Sequence, residues 1–519
     1  MSERAAPIAI DRSVAVAASG ATRERLALAR VLWPAAAVLA AAAAVQIWVG
    51  TPSDVSWLIT LCEKILAGNK PYVDFIEVNP PASIFLYMPA TWAAKALGVW
   101  PELMVAASGF AAIIASLALC AAVLAPAGLT ARLGPLGLAF ATAVIALLPA
   151  CAFDQREHLA VLAGLPLFAV LAAHASGATT EWVLRLLAGL GGGVMASIKP
   201  HFALMVVAML PYLAWRLGPR ELIASVELYI AALVAALYAL TVFLFIPAYV
   251  DKAAPLVAAV YLPQRASWIA LAANPGLIAW LVIGRYVILL GKGRLLDPLI
   301  ATPALASIGA LLAFLAQGKG WPYHAYPAVA LIALAIVPTL EDATRTSWRA
   351  RLATPKVGCA AALALAFIYF CQTPRFDSPP LQRLVASLAP HPKLLAIGGD
   401  IALGHPLTRE VGGIWVGTTP CLWITDTIYY WRQQGELDAA AEARYAPYLR
   451  GDRETLINDI KANQPDAILV ADKDWKRWAF THADVAAALA DYAPLGVVDE
   501  VTVYGRKPEL RLNSDSDRP

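Results

Sequence analysis

Residues 31–49 read Val-Leu-Trp-Pro-Ala-Ala-Ala-Val-Leu-Ala-Ala-Ala-Ala-Ala-Val-Gln-Ile-Trp-Val, and the chain continues Gly50-Thr51-Pro52-Ser53-Asp54-Val55-Ser56-Trp57. About twenty apolar residues cross a bilayer, so this run is a first span. Arg23, Arg25 and Arg30 give it the charge layout of a signal peptide, but the apolar core of a signal is shorter, and the span is expected to stay uncleaved. The rest of the chain agrees. Of 519 residues, 60% are hydrophobic and 15% charged, with a mean hydropathy of +0.63. Globular chains hold roughly 45–50% apolar and about 25% charged residues. A soluble enzyme and a disordered scaffold are excluded on that ground. A net charge of +3 is too small for a polyanion partner, so nucleic acid is excluded as well. The expected class is a polytopic α-helical membrane protein, with the lipid bilayer as its first partner.

Further apolar runs fall at 82–97, 103–126, 135–152, 159–175, 183–198, 202–215, 228–247, 268–291, 299–316, 325–340 and 357–373. Those at 82–97, 183–198 and 202–215 are short for a span, which requires breaks, tilts or segments that do not cross. After residue 373 the charge density becomes ordinary. Leu394–Ile397 and Ala467–Val470 read as strands and Thr455–Lys461 as helix, with a closing hairpin over Val497–Arg506, so residues 374–519 are expected to form a soluble α/β domain. Residues 1–30 are a tail and 31–373 the membrane domain, whose first external loop covers 50–102.

The positive-inside rule selects the topology. If 82–97 crosses, the loops carrying Arg132, Arg185, Arg216 with Arg220, Lys292 with Arg294, and Arg345 through Lys356 all become external. If 82–97 lies on or dips into the outer face, all of them become cytoplasmic, as the rule requires. The expectation is therefore about eleven crossings, a cytoplasmic N-terminus and an external C-terminal domain. One face then collects the first loop, Asp154–His158, Lys199–His201 and Lys319–His324. Ionisable residues at membrane depth are costly, and their gathering marks a functional site.

The first loop holds Asp54, then Trp57, Leu58, Leu61, Ile65 and Leu66 at helical spacing, which reads as an interfacial amphipathic helix. Beyond it comes Gly68-Asn69-Lys70-Pro71-Tyr72-Val73-Asp74-Phe75-Ile76-Glu77-Val78-Asn79-Pro80-Pro81. This order of carboxylate, interfacial helix, Gly-x-x-Pro-Tyr-x-Asp turn and Pro-Pro-led apolar segment resembles the GT-C superfamily of polyprenyl-phosphate-sugar-dependent glycosyltransferases. That superfamily includes the protein O-mannosyltransferases and the lipid A aminoarabinose transferase. The resemblance covers about residues 31–97, the multi-span layout and the external C-terminal domain. It implies that Asp54 is the catalytic carboxylate. The O-mannosyltransferases carry an adjacent Asp-Glu pair, whereas Asp54 is followed by Val55.

Such a reaction needs a base for an acceptor hydroxyl and cations for the departing phosphate. Candidates for the phosphate are Arg156, Lys199, His201, Arg265, Lys319 and His324; Asp74, Glu77, Asp154, Glu157, His158, Trp321 and Tyr323 are candidate substrate-binding or supporting residues. The Arg-Glu-His, Lys-Pro-His and Lys-Gly-Trp-x-Tyr-His segments are similar to segments of bacterial GT-C-like proteins. As ordinary structure, the same residues read as a polar loop, a snorkelling lysine and an aromatic belt. His158, His201 and His324 admit a zinc site in principle, but nothing in the sequence supports a divalent metal, and no cofactor is expected. Gly398-Gly399-Asp400 is a weak phosphate signal, better suited to acceptor binding or a lid. Cys62 and Cys421 lie outside the spans, and no disulfide between them is expected.

The expected activity is that of a glycosyltransferase of the bacterial inner membrane. It would move a monosaccharide from a polyprenyl-phosphate donor to a glycan, lipid or protein acceptor on the periplasmic face. A flippase of lipid-linked sugars would place its polar site near the mid-plane. A glycan ligase or polymerase would concentrate arginines in one large late loop. Both remain alternatives.

Overall fold

The computed structural model describes residues 32–340, 355–372, 376 and 378–507. The arginines before the first span, the 1–30 tail, the basic loop Arg345–Lys356 apart from its last two residues, and the 373–374 boundary lie outside the described residues. The chain is mostly helical. The first helix, α1, is Leu32–Val49. The first loop then forms α2 (Ser53–Leu66), α3 (Ala82–Phe85) and α4 (Met88–Leu97). The bundle continues with α5 (Pro101–Leu124), α6 (Gly134–Leu147), α7 (Arg156–Ala175), α8 (Trp182–Ile198), α9 (Pro200–Leu217) and α10 (Val226–Phe245). It closes with α11 (Pro275–Leu290), α12 (Pro298–Gln317), α13 (Pro322–Thr339) and α14 (Val357–Phe370).

Seven helices are long and apolar enough to cross a membrane: α1, α5, α7, α9, Pro219–Phe245 (which contains α10), α12 and α13. Four apolar helices are shorter: α6, α8, α11 and α14. The 82–97 segment is two short helices, of which the longer has ten residues, well below the length of a span. α9 is interrupted near Ala208, just ahead of Pro211. Proline marks the starts: Pro101, Pro275, Pro298 and Pro322 each open a helix, where the missing N–H costs nothing.

Antiparallel packing gives the bundle two distinct ends. α7 and α13 begin, and α8 and α12 finish, at one end, where Glu157 meets Lys199 and His324. At the other end Arg185 and His174 pair with Glu227, Arg216 donates to the Ala175 carbonyl, and Arg132 pairs with Asp297.

The C-terminal domain comprises α15 (Pro379–Ala386), β1 (Lys393–Ile397), β2 (Ile414–Trp415), α16 (Trp423–Gln433), α17 (Ala439–Asn463), β3 (Ala467–Val470), α18 (Lys473–Thr481), β4 (Tyr492–Val498) and β5 (Val501–Arg506). The sheet order is β2-β1-β3-β5-β4. β2, β1 and β3 run parallel, while β5 pairs antiparallel with both β3 and β4. β1 and β3 pair Leu394 with Ala467 and Ile397 with Val470.

Strand alternation decides where this domain sits. Leu394, Ala396, Leu469 and Val503 point to one face and share a core with Trp57, Leu58, Leu61, Tyr72, Phe75 and Tyr87 of the first loop. Leu395, Ile397, Ile468, Val470 and Tyr504 point to the other face, against α17. Helix α2 thus covers one face of the sheet, and this corrects the interfacial-helix expectation. Val55 through Cys62 are all buried, so α2 is enclosed between the two parts of the chain instead of lying on a lipid surface. Polar clamps reinforce the dock. Arg409 pairs with Glu63 and Glu102, Lys64 Nζ donates to the Gly417 carbonyl at 3.1 Å, and Ile76 N donates to Thr418 O at 2.9 Å.

Candidate functional site

Where α2 begins, α7 begins and α8 ends, side chains from distant stretches converge. Helix α7 opens sharply because Asp154 takes a left-handed φ of +57° and Gln155 is extended, which turns Arg156 inward. Arg156 is 2% exposed, and its Nη2 donates to Asp54 Oδ1 at 2.8 Å. Its Nη1 lies 3.7 Å from Glu77 Oε1. Glu77 is held by Trp57 Nε1 at 2.8 Å and by the Asn79 backbone N–H at 3.0 Å and side-chain amide at 2.5 Å. Glu157, fully buried, accepts from Lys199 Nζ at 2.6 Å, and His324 Nε2 stands 3.6 Å from the same oxygen.

This network is incompletely satisfied. Among the described residues, Arg156 Nε, Gln155 Oε1, Glu157 Oε2, His201 Nε2 and both ring nitrogens of His324 have no hydrogen-bond partner. Buried polar atoms are nearly always bonded, and a cluster of exceptions marks where a ligand supplies the missing partners. Asp54 keeps 24% of its side chain exposed while Arg156 keeps 3%, so the carboxylate faces the open side.

An aromatic wall flanks the cluster. Trp321 packs on His324 and Tyr323 with ring centroids 5.2 and 5.9 Å apart, and Tyr261 stands 6.3 Å from Trp321. Lys319 Nζ sits 4.0 Å above the Tyr261 ring, donates to Gln264 O at 2.6 Å and also donates to Tyr261 O. Tyr323 meets the His324 ring edge-on with centroids 4.6 Å apart.

The structure thus brings Asp54, Glu77, Arg156, Glu157, Lys199, His324, Tyr323 and Trp321 together, with His201 and Lys319 at the margin. Four expected site residues fall outside. Asp74 is exposed and closes its own turn by accepting from Lys70 N at 2.7 Å. Asp154 points away toward Gly109, with its carbonyl accepting from Tyr87 Oη at 2.5 Å. His158 is fully buried between the Asp154 N–H (3.1 Å) and the Ile145 carbonyl (2.7 Å), a helix-linking role. Arg265 spends its guanidinium on the carbonyls of Ala316 and Leu315, both at 2.7 Å, and so caps α12. Asp54 lacks a neighbouring acid, but Glu77 of the same loop stands close by on Arg156.

Gln155, Asn79 and Trp423 have no site role in the sequence reading, whereas Asp400 belongs to the Gly398-Gly399-Asp400 segment read there as suited to acceptor binding or a lid. The Glu-x-Asn spacing at 77–79 was the available signal for Asn79. No group of three or more His, Cys, Asp or Glu side chains is arranged to hold a metal among the described residues. Cys62 and Cys421 are free thiols bonded to the Ile84 and Gly399 carbonyls at 3.3 and 3.1 Å. No protein-family model matches this chain, and neither a curated protein nor a solved structure matches it.

Proposed function

We propose that this protein is a membrane glycosyltransferase of the GT-C type. It would move a monosaccharide from a polyprenyl-phosphate donor to an envelope acceptor at the periplasmic face of a bacterial inner membrane. The observation that carries the reading is the Asp54–Arg156 contact at 2.8 Å, with the under-bonded Arg156 guanidinium and two under-bonded histidines, His201 and His324, behind it. A carboxylate turned to the open side beside cations turned inward is the division of labour that this transfer needs.

In the proposed reaction Asp54 accepts the proton of an acceptor hydroxyl, and that oxygen bonds to the anomeric carbon. The bond from that carbon to the phosphate oxygen breaks, and its electron pair leaves on the polyprenyl phosphate. Arg156, Lys199 and the N-terminus of α7 carry the charge gained by the phosphate. Glu77 and Asn79 keep the guanidinium in place. An apolar cavity of 380 Å³ between α4, α5, α7 and α8, on the Asp154 side of the α7 start, is where we would place the isoprenoid chain.

The test uses purified full-length protein in nanodiscs, radiolabelled polyprenyl-phosphate sugars and total envelope extract. Asp54→Asn is expected to lower transfer about 10²–10⁴-fold, the usual worth of a general base, while donor binding is retained. Equal transfer by the variant refutes the assignment.

A further inference from the structure

The C-terminal domain does more than cover α2. Its loop Gly398-Gly399-Asp400, at the end of β1, and the start of α16 are tied together: Leu422 N donates to the Gly398 carbonyl at 2.8 Å and Cys421 Sγ to Gly399 O at 3.1 Å. This unit overhangs the site. The short turn Ile401–Leu403 packs on α2, and Leu403 joins the core built around Trp57. Asp400 stands at the head of that turn, where its Oδ1 accepts from Ala402 N at 2.8 Å. Burial raises the Asp400 pKa, the Asp54 charge adds to the rise, and its bond to Ala402 N opposes it. On the other side of the overhang, Trp423 meets the Tyr261 ring edge-on at 6.1 Å, which extends the wall Tyr261–Trp321–Tyr323 into the C-terminal domain. The indole N–H of Trp423 is buried and has no hydrogen-bond acceptor.

We propose that Trp423 and Asp400 form the outer wall of a carbohydrate subsite that holds the acceptor, a sugar whose hydroxyl is presented to Asp54. This rests on the transferase reading and specifies its acceptor class. Three observations point the same way. Aromatic faces stack against the C–H faces of sugar rings, and here a run of mutually tilted rings, Trp321, Tyr261 and Trp423, borders the site. Carboxylates take hydrogen bonds from hydroxyl groups, and Asp54 and Asp400 both offer acceptor oxygens. Arg156 and Lys199 lie inward of the partly exposed Asp54, where the phosphate is placed, while Lys319 sits on the Tyr261 ring of the aromatic wall. An unsatisfied indole N–H is what a sugar oxygen would fill.

The test is saturation-transfer NMR on full-length protein in nanodiscs, with maltose and N-acetylglucosamine as probes and tetraethylene glycol as a comparator. Wild-type protein is expected to saturate the sugar ring protons but not the glycol. W423A and D400N should each lower the sugar signal at least threefold. W423F, which keeps a ring, should retain at least half. The proposal is overturned if neither sugar is saturated, if the glycol is saturated equally, or if W423A and D400N leave the signal unchanged. A W423F signal as low as that of W423A overturns the stacking assignment. No lipid donor is present, so an active Asp54→Asn enzyme would defeat the transferase reading while leaving this binding result intact.

Discussion

Lys199 and Glu157 meet at 2.6 Å with side-chain exposures of 5% and 0%, and neither has water to fall back on. Breaking a buried pair by removing one partner costs about 3–5 kcal/mol, because the survivor is left charged and alone. Lys199→Met is therefore expected to lower the thermal midpoint in detergent more than Lys199→Met combined with Glu157→Gln. A double variant that melts below the single one would show that the pair does not hold itself together. Both residues were legible in the sequence, since a lysine before Pro200 and an Arg-Glu-His triplet between apolar runs demand partners. Their pairing was not legible, because it depends on α7 and α8 meeting at this level. Asp154 and His158 show the converse. They occupy the same five-residue cluster as Arg156, but a left-handed turn at Asp154 aims them elsewhere. Sequence spacing cannot reveal that turn, since a non-glycine residue adopts it only where the surroundings impose it.

At the scale of elements, α2 was readable as a helix, and so were β1, β3 and the closing hairpin. What covers α2 was not, because amphipathic spacing is the same whether the apolar side meets lipid or a sheet. Trp57 is 1% exposed within the shared core. Trp57→Ala is expected to cost about 3–5 kcal/mol and to expose the α2–sheet seam to limited proteolysis. An unchanged digestion pattern would argue that the dock does not depend on this side chain.

The same seam predicts a pH effect. His405 is fully buried between the rings of Trp57 and Trp415, 5.2 and 4.8 Å away. Burial pushes its pKa down from 6.5 to about 3, with Arg409 and Lys64 adding to the fall. Below pH 6.5 the unfolded chain binds a proton that the folded one refuses, so stability drops by about 1.4 kcal/mol per pH unit until the folded value is reached. Asp452 works against this. Burial raises its pKa from 3.8 to about 6 despite its bonds from Thr425, so its contribution is lost as pH rises from 3.8 through 6. The wild-type curve alone mixes the two. The difference between wild type and His405→Phe isolates the histidine: acidification from pH 7.5 to 5 should shift it by about 2 kcal/mol in favour of the variant. A difference that does not move with pH would rule out the buried neutral imidazole.

Close helix packing is a further element-scale property. A Cβ on Gly191 would strike the Ala163 carbonyl of α7, and one on Gly189 would come within 2.7 Å of the Glu227 carbonyl at the start of α10. These glycines let α8 approach its neighbours closely.

For the whole molecule, the question is which end faces which side of a membrane. The site end carries the first loop, the starts of α7 and α13 and the C-terminal domain. The far end carries Arg132, Arg185, Arg216 and Arg294, several of them tied to helix ends or to Asp297. Cationic loops are retained on the cytoplasmic side, so this separation predicts an outward-facing site. Composition made the apolar spans legible, and the basic loops supply the expectation of polarity that the labelling below tests. The breaks within α9 and within 82–97 were readable only as shortness, since span length alone does not say where a short helix ends up. Two exposed positions test the polarity without disturbing the core: Asn69, in the turn after α2, and Lys292, in the turn before α12. In intact cells whose outer membrane has been permeabilised, Asn69→Cys is expected to react with a membrane-impermeant maleimide. Lys292→Cys is expected to react only after the inner membrane is opened. The six native cysteines are buried or half-buried, which keeps background labelling low. Reversed labelling would put Asp54, Arg156 and the C-terminal domain in the cytoplasm. A donor presented on the periplasmic leaflet would then never reach the carboxylate.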